Sequence, residues 1–420
     1  MKTDHDIVVL RELAARYAEI ANDPVNMERR TLHTAVNDLK LMRPVVLIDE
    51  IPWHEMNIGN ELTLKCTDPD YRKVEDYFRK ELYKWNHMQA DMIVRPFYGV
   101  QKIVETTGIG MTASDEVRLQ AAPGADSAIM SHHYENQIES EEDIEKLHRQ
   151  VLTYKEKETY ELFDKIAAAI SDILPVKIVG IESGYDNSCK NWDDIAFFMG
   201  AENLFYALAD EPEMMHKLTG KLTDIFLDTV RQYEELNLYE PNQIYLHATT
   251  ALNSKLSEGL DYQHVTAKHM WGRGLAQIFA SVSKEMRKEF DIEYMKKAMA
   301  PFGLVYYGCC EPLHNMIDIV SEIPNIRKIG ITPWADVDEG AANIGGRYVM
   351  AFKPNPAFVT DFDLYEETVR QEIGRMLAAC RRNGTPADIV IKDISTVGKN
   401  PENLFRWEKL VMQMVKEFEY

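Results

Sequence analysis

Residues 304–315 read LVYYGCCEPLHN, which sets Cys309 and Cys310 side by side behind an apolar run, with Glu311 directly after them. Thiolates are both soft metal ligands and strong nucleophiles. A thiolate joined by an imidazole and a carboxylate gives zinc three or four ligands and leaves a position for substrate, where the ion acts as a Lewis acid. Two small buried core thiols are the plain alternative, since free cysteine is among the most buried residue types. A disulfide between adjacent cysteines is opposed by its own geometry. A nucleophilic cysteine needs a well-placed base, which spacing alone does not supply.

The same residue types close other short β-like runs. His247 ends QIYLHA, Glu182 ends VKIVGIE, Lys353 follows RYVMAF, and Lys392 with Asp393 ends DIVIKD. Arg95, Ser281, Ser283, Thr332 and Trp334 stand at comparable places. The candidate metal ligands are therefore His247, Cys309, Cys310, Glu311 and Asp393. Glu182, Lys353 and Lys392 are the candidate catalytic groups, the lysines suited to an anion or a carboxylate. Each has a simpler reading: a histidine bonded to a carbonyl, a glutamate capping a helix, a lysine in a salt bridge. Trp271, Trp334 and Tyr307 could stack on an aromatic substrate or simply pack in the core.

These residues need elements that bring strand ends together. From about residue 91 short apolar runs alternate with amphipathic helices: 92–97, 176–182, 243–248, 276–282, 304–310, 326–332, 347–352 and 388–393. Eight alternations predict a parallel (β/α)8 barrel of the triosephosphate-isomerase type, with its chemistry at the C-terminal strand ends. An open doubly wound sheet is the structural alternative, although no Gly-rich phosphate loop follows any run. Residues 1–90 are expected to form a helical N-terminal extension, including the apolar run PVVLIDE (44–50), and residues 91–420 the barrel. Helices are predicted over 6–22 behind Asp4, over 68–90, over 142–172, over 363–382 up to Asn383-Gly384, and after Asn400-Pro401. Residues 107–140 read as an irregular excursion.

The net charge of −21 repels nucleic-acid phosphates and anionic membranes, so neither is an expected partner. Five scattered cysteines make no secreted disulfide framework, MKTDHDIVVL has no apolar signal core, and no run approaches the roughly 18 apolar residues of a membrane span. A cytoplasmic protein with reduced thiols is expected.

The stretch running from MWGRGLAQIFASV through YGCCEPL to IGITPWADV, with the later KPNPA and IKDISTV, resembles the uroporphyrinogen decarboxylase-like superfamily, in particular its bacterial branch carrying a YGCCEPL motif. The resemblance spans roughly residues 90–420 and is most specific in the second half. It implies a (β/α)8 barrel and points to zinc-dependent methyltransferases that exchange methyl groups with a corrinoid protein. Those enzymes place His-x-Cys-Gly on a barrel strand and a further Cys on the last strand, all on zinc. Cys309 matches the strand cysteine, but Tyr307 stands where the histidine would be and Asp393 where the last cysteine would be. A set drawn from His247, Cys309 or Cys310, Glu311 and Asp393 would replace theirs. The Arg-rich stretch that clamps porphyrin carboxylates has no match, since LMRPVVLIDE holds one arginine.

The activity implied is zinc-assisted transfer of a methyl group from a small ether, amine or thioether to a corrinoid. No Asp-x-His-x-x-Gly motif occurs, so the corrinoid would ride on a separate protein. A second copy of the chain is a further expected partner. The alternative is a decarboxylase-like lyase acting on a smaller carboxylic acid. A non-catalytic binding protein is also compatible with such a scaffold.

Overall fold

The computed structural model describes residues 2–119, 131–182 and 186–420. Its centre is one parallel sheet of seven strands: β1 (Val45–Ile48), β2 (Ser188–Cys189), β3 (Trp271–Gly274), β4 (Leu304–Tyr307), β5 (Ile326–Ile331), β6 (Val349–Phe352) and β7 (Ala387–Ile391). The spatial order is β1-β7-β6-β5-β4-β3-β2, and every neighbouring pair runs parallel. A parallel sheet is covered on both faces, so its strands are apolar throughout rather than alternating. Every residue of β4, β6 and β7 is accordingly buried. β1 and β2 are the two edges, and among the described residues no strand joins them. The expected α/β architecture is present as a seven-stranded parallel sheet with helices around it, and among the described residues neither the eighth strand nor closure of the barrel is seen.

Several expected strands differ. PVVLIDE, expected in the N-terminal extension, instead places residues 45–48 in the sheet as β1, paired with Asp388–Ile391 of β7. Residues 92–97 are not a strand; the neighbouring Tyr98–Gln101 is, and it pairs with Val176–Val179 outside the main sheet. Residues 243–248 supply only Tyr245–Leu246, which turns back on Thr249–Thr250. Residues 276–282 form a 3₁₀ turn, Gln277–Ser281.

The strand in that part of the chain is WGRG, whose glycines hid it. A Cβ on Gly272 would stand 2.6 Å from the Phe302 ring and 2.9 Å from Met299 Sδ, and one on Gly274 would stand 2.9 Å from Met295 Sδ and from Tyr307. The glycines are there because helix and strand side chains pack onto the bare backbone.

Around the sheet lie α1 (Lys2–Ala21), α2 (Val25–Asn37), α3 (Pro69–His87), α4 (Glu156–Ile170), α5 (Pro212–Glu235), α6 (Val337–Ile344), α7 (Glu366–Asn383) and α8 (Glu402–Lys416). α1 begins before Asp4, which is therefore not its cap. α3 is capped by Asp68, whose carboxylate accepts the Asp70 and Tyr71 amides, and Pro69 opens its first turn. α7 ends, as its sequence predicts, at Gly384 in the left-handed region (φ 60°). The long helix expected over 142–172 is broken: a strand at Leu152–Tyr154 precedes α4. Within 107–140, Asp115–Leu119 and Ser131–Tyr134 pair antiparallel, while 120–130 lie outside the described residues. Among the described residues no helix is long and apolar enough to cross a membrane.

Candidate functional site

The site starts with the turn that follows β4. Gly308 has φ 120°, and a Cβ there would meet Leu313 at 2.9 Å and the Gly330 backbone at 3.2 Å. Residues of a regular strand alternate between faces. The Gly308 turn breaks that alternation, and both Cys309 and Cys310 line one cavity of about 120 Å³ with Thr332, Trp334, Lys392 and Asp393. All five cysteines of the chain are free thiols.

Lys392 organises this cavity. Its Nζ lies 3.7 Å from Cys309 Sγ and 3.5 Å from Cys310 Sγ, and forms a 2.8 Å ion pair with Asp393. The two sulfurs are 3.8 Å apart, and Cys310 Sγ is 3.5 Å from Asp393 Oδ2. The hydrogen bond from Cys310 holds the Cys309 thiol well below its ordinary range. Burial opposes it, while His247, Arg273 and Lys392 add to it. Cys310 is driven the other way, first by that bond with Cys309 and then by burial. Of the pair, Cys309 is the sulfur favoured as thiolate and Cys310 the one favoured as thiol.

His247 sits in the tight turn between Tyr245–Leu246 and Thr249–Thr250, where Ala248 has φ 50°. That turn is clamped from two strand ends: Asp49 Oδ2 accepts the Ala248 N–H at 3.1 Å, and Lys353 Nζ donates to the Ala248 carbonyl. The imidazole hydrogen-bonds with Cys309, and burial lowers its pKa. Its Nε2 is 3.6 Å from Glu50 Oε1, and Glu50 Oε2 accepts the Asp393 N–H at 3.0 Å. Burial, with the Asp393 carboxyl beside it, pushes Glu50 up to about 7. Glu50 (φ 48°) and Asp393 (φ 54°), like Ala248, are non-glycine residues in the left-handed region. Three such residues round one cluster is the kind of local strain that gathers at functional sites.

Beside this cluster opens a larger cavity of about 450 Å³, walled by Glu50, His247, Tyr245, Lys84 and the Arg95–Glu182 pair. An acid, an imidazole and a thiolate in sequence, Glu50–His247–Cys309, thus connect this cavity to the thiol pocket.

The sequence-predicted residues divide as follows. His247, Cys309, Cys310, Lys392 and Asp393 come together. Glu182 lines the larger cavity but is paired with Arg95. Lys353 lines the thiol cavity, and burial pushes it down to about 8 while it holds the Ala248 carbonyl. Glu311 points away: its oxygens accept the Cys309 and Ala276 amides at 2.9 and 3.1 Å, with Arg287 3.8 Å off. It fixes the cysteine turn from behind. Tyr307 is buried in a network with Arg287 and Asp291, and Trp271, also buried, donates its N–H to the Ala251 carbonyl. Ser283 caps the short helix Lys284–Arg287.

Zinc needs its donors about 2.0–2.3 Å from one point. Among the described residues no three His, Cys, Asp or Glu side chains are gathered to hold a metal ion. An ammonium, Lys392 Nζ, stands between the two sulfurs and Asp393, and Glu311 is engaged by backbone amides. As arranged, the donor set does not fit the ion. The residue missed by sequence was Glu50, in a run that ends with acids much as DIVIKD does.

No family model matches the chain, and no curated protein sequence matches it. Among solved structures it is similar to a methyltransferase from Methanosarcina mazei, over 92% of this chain and 98% of that one, with a TM-score of 0.50 and 9% identity. At that identity the likeness shows the fold alone.

Proposed function

We propose that the chain is a methyltransferase in which the Cys309 thiolate takes a methyl group from a small methylated compound and passes it to the corrinoid of a separate protein. The observation that carries this reading is the buried Cys309 sulfur, 3.7 Å from the Lys392 ammonium and hydrogen-bonded to Cys310 and His247, beside a cavity with the Glu50 carboxyl on its wall. The fold likeness to a methyltransferase and the resemblance to the uroporphyrinogen decarboxylase-like superfamily support it.

The chemistry balances with these groups alone. Cys309 attacks the methyl carbon, the S–C bond forms, and the bond to the ether oxygen, amine nitrogen or thioether sulfur breaks with its electron pair going to that atom. Glu50, protonated near neutral pH, gives the leaving atom its proton. In the second half, the reduced corrinoid supplies the electron pair for the new bond to carbon, and the S–C pair returns to Cys309 as thiolate. Lys392 offsets the thiolate charge before the first step and after the second. Cys310 and His247 hold the sulfur in place by hydrogen bonding.

The test is to incubate the full chain with methylated ethers, amines and thioethers, then digest it and look for S-methyl-Cys309 by mass spectrometry. Reduced corrinoid is added in parallel and the methyl-corrinoid spectrum followed. Methyl on Cys309 that disappears as methyl-corrinoid accumulates is the expected result. Zinc bound in a one-to-one ratio and lost in Cys309→Ser would overturn the thiolate route. Absence of both methylated products would favour the lyase acting on a smaller carboxylic acid.

A further inference from the structure

A third cavity, of about 340 Å³, lies behind the thiol pocket and shares Thr332 and Pro333 with it as a common wall. Its other walls include Val337 of α6, Phe352 of β6, Phe358 of the following turn, and Thr368, Gln371, Glu372 and Arg375 of α7. Two polar atoms on these walls are buried with no hydrogen-bond partner in the protein: Thr332 Oγ1, on a residue only 2% exposed, and Glu372 Oε2. The other oxygen of Glu372 serves the Asn355 amide at 3.0 Å. Buried polar atoms are nearly always paired, so an orphaned carboxylate oxygen and an orphaned hydroxyl on one cavity wall need an explanation.

The charged groups nearby do not supply one. Arg375, one turn along α7, is bound by Asp336 and Asp338 at 3.1 and 2.6 Å. Thr332 is the residue directly after β5, and the 352–359 segment contributes the Asn355 amide. Burial pushes Glu372 up to about 7 against the pull of that amide, and no neighbouring charge acts on it.

We infer that this cavity binds a small organic cation carrying N–H groups, an alkylammonium whose head donates to Glu372 Oε2 and Thr332 Oγ1 and whose chain lies against Phe352 and Phe358. An ammonium can donate both to the Glu372 carboxylate and to the Thr332 hydroxyl, which accepts as well as donates, and the phenyl rings suit both a cation and its alkyl tail. A carboxylate or phosphate would meet an unpaired acid instead. The inference does not depend on the methyl-transfer reading.

Calorimetric titration of the full chain with butylammonium at pH 6, 7 and 8 tests it, with butanol and butyrate as comparison probes. The cation prefers ionised Glu372, so its affinity should rise with pH, about tenfold per unit below the carboxyl's pKa and levelling above it. Glu372→Gln, nearly isosteric, should lose about tenfold or more in affinity together with the pH dependence, and Thr332→Val should lose a smaller factor. Cys309→Ser should leave the binding unchanged, which separates this site from the thiol chemistry. Binding of butanol as tight as butylammonium, retention of affinity in a folded Glu372→Gln chain, or no binding by any probe would overturn the inference. If Glu372→Gln unfolds, the pH dependence of the unaltered chain decides.

Discussion

At the scale of single residues, the question is whether Lys392 can keep Cys309 ionised in a buried setting. A unit charge pair about 4 Å apart at an effective dielectric near 20 amounts to about 4 kcal/mol, or about three pKa units. That is enough to offset substantial desolvation of one thiolate, and Cys310 adds a hydrogen bond. Iodoacetamide should therefore alkylate Cys309 readily at pH 6, where an ordinary thiol is protonated. Lys392→Met and Cys310→Ala should each slow that alkylation by about tenfold or more at pH 6, with little change at pH 10, as read by peptide mapping. An unchanged rate at pH 6 would remove the electrostatic argument. Glu50 sets the other limb. A proton donor works only while protonated, and Glu50 is held up to about 7 by burial and Asp393. Methyl transfer should fall as pH rises through about 7, and Glu50→Gln should give a slower rate without that alkaline limb.

At the scale of elements, the cysteine turn depends on one glycine. Gly308→Ala must place a Cβ where Leu313 and the Gly330 backbone already stand, at a φ that L-residues avoid. The expected cost is about 1–3 kcal/mol in urea unfolding, together with slower Cys309 alkylation as the two sulfurs separate. Legibility in the sequence follows the same logic of local against distant causes. The runs at 304–310, 326–332, 347–352 and 388–393 were readable because continuous apolar, β-branched stretches mark buried parallel strands. Their ends delivered Cys309, Cys310, Lys392 and Asp393. β3 was not readable, because its glycines answer to Phe302, Met299 and Tyr307 from other segments. Glu311 has the right chemistry for a ligand, but the direction it faces is set by the Ala276 amide, 35 residues away in sequence. Glu50 was overlooked because β1 joins the site only by pairing with β7 across more than three hundred residues.

At the scale of the whole molecule, that long-range pairing builds Val45–Ile48, from within the first ninety residues, into the sheet. A chain beginning at residue 91 would lose β1, expose one side of β7 and lack Glu50. It should show no cooperative thermal transition, whereas an N-terminal segment packed only on the outside could be removed with the sheet intact. Circular dichroism of the truncated chain decides between them. The distribution of tryptophan carries a different consequence. Of the six, Trp192, Trp271 and Trp407 are fully buried and Trp53 and Trp85 half-buried, while Trp334, on the rim of the thiol cavity, is 69% exposed. Red-edge excitation selects a water-facing indole over buried ones. The protein therefore contains its own optical reporter: a blue shift and loss of iodide quenching in that sub-population would time the arrival of anything that covers the thiols, with no label attached.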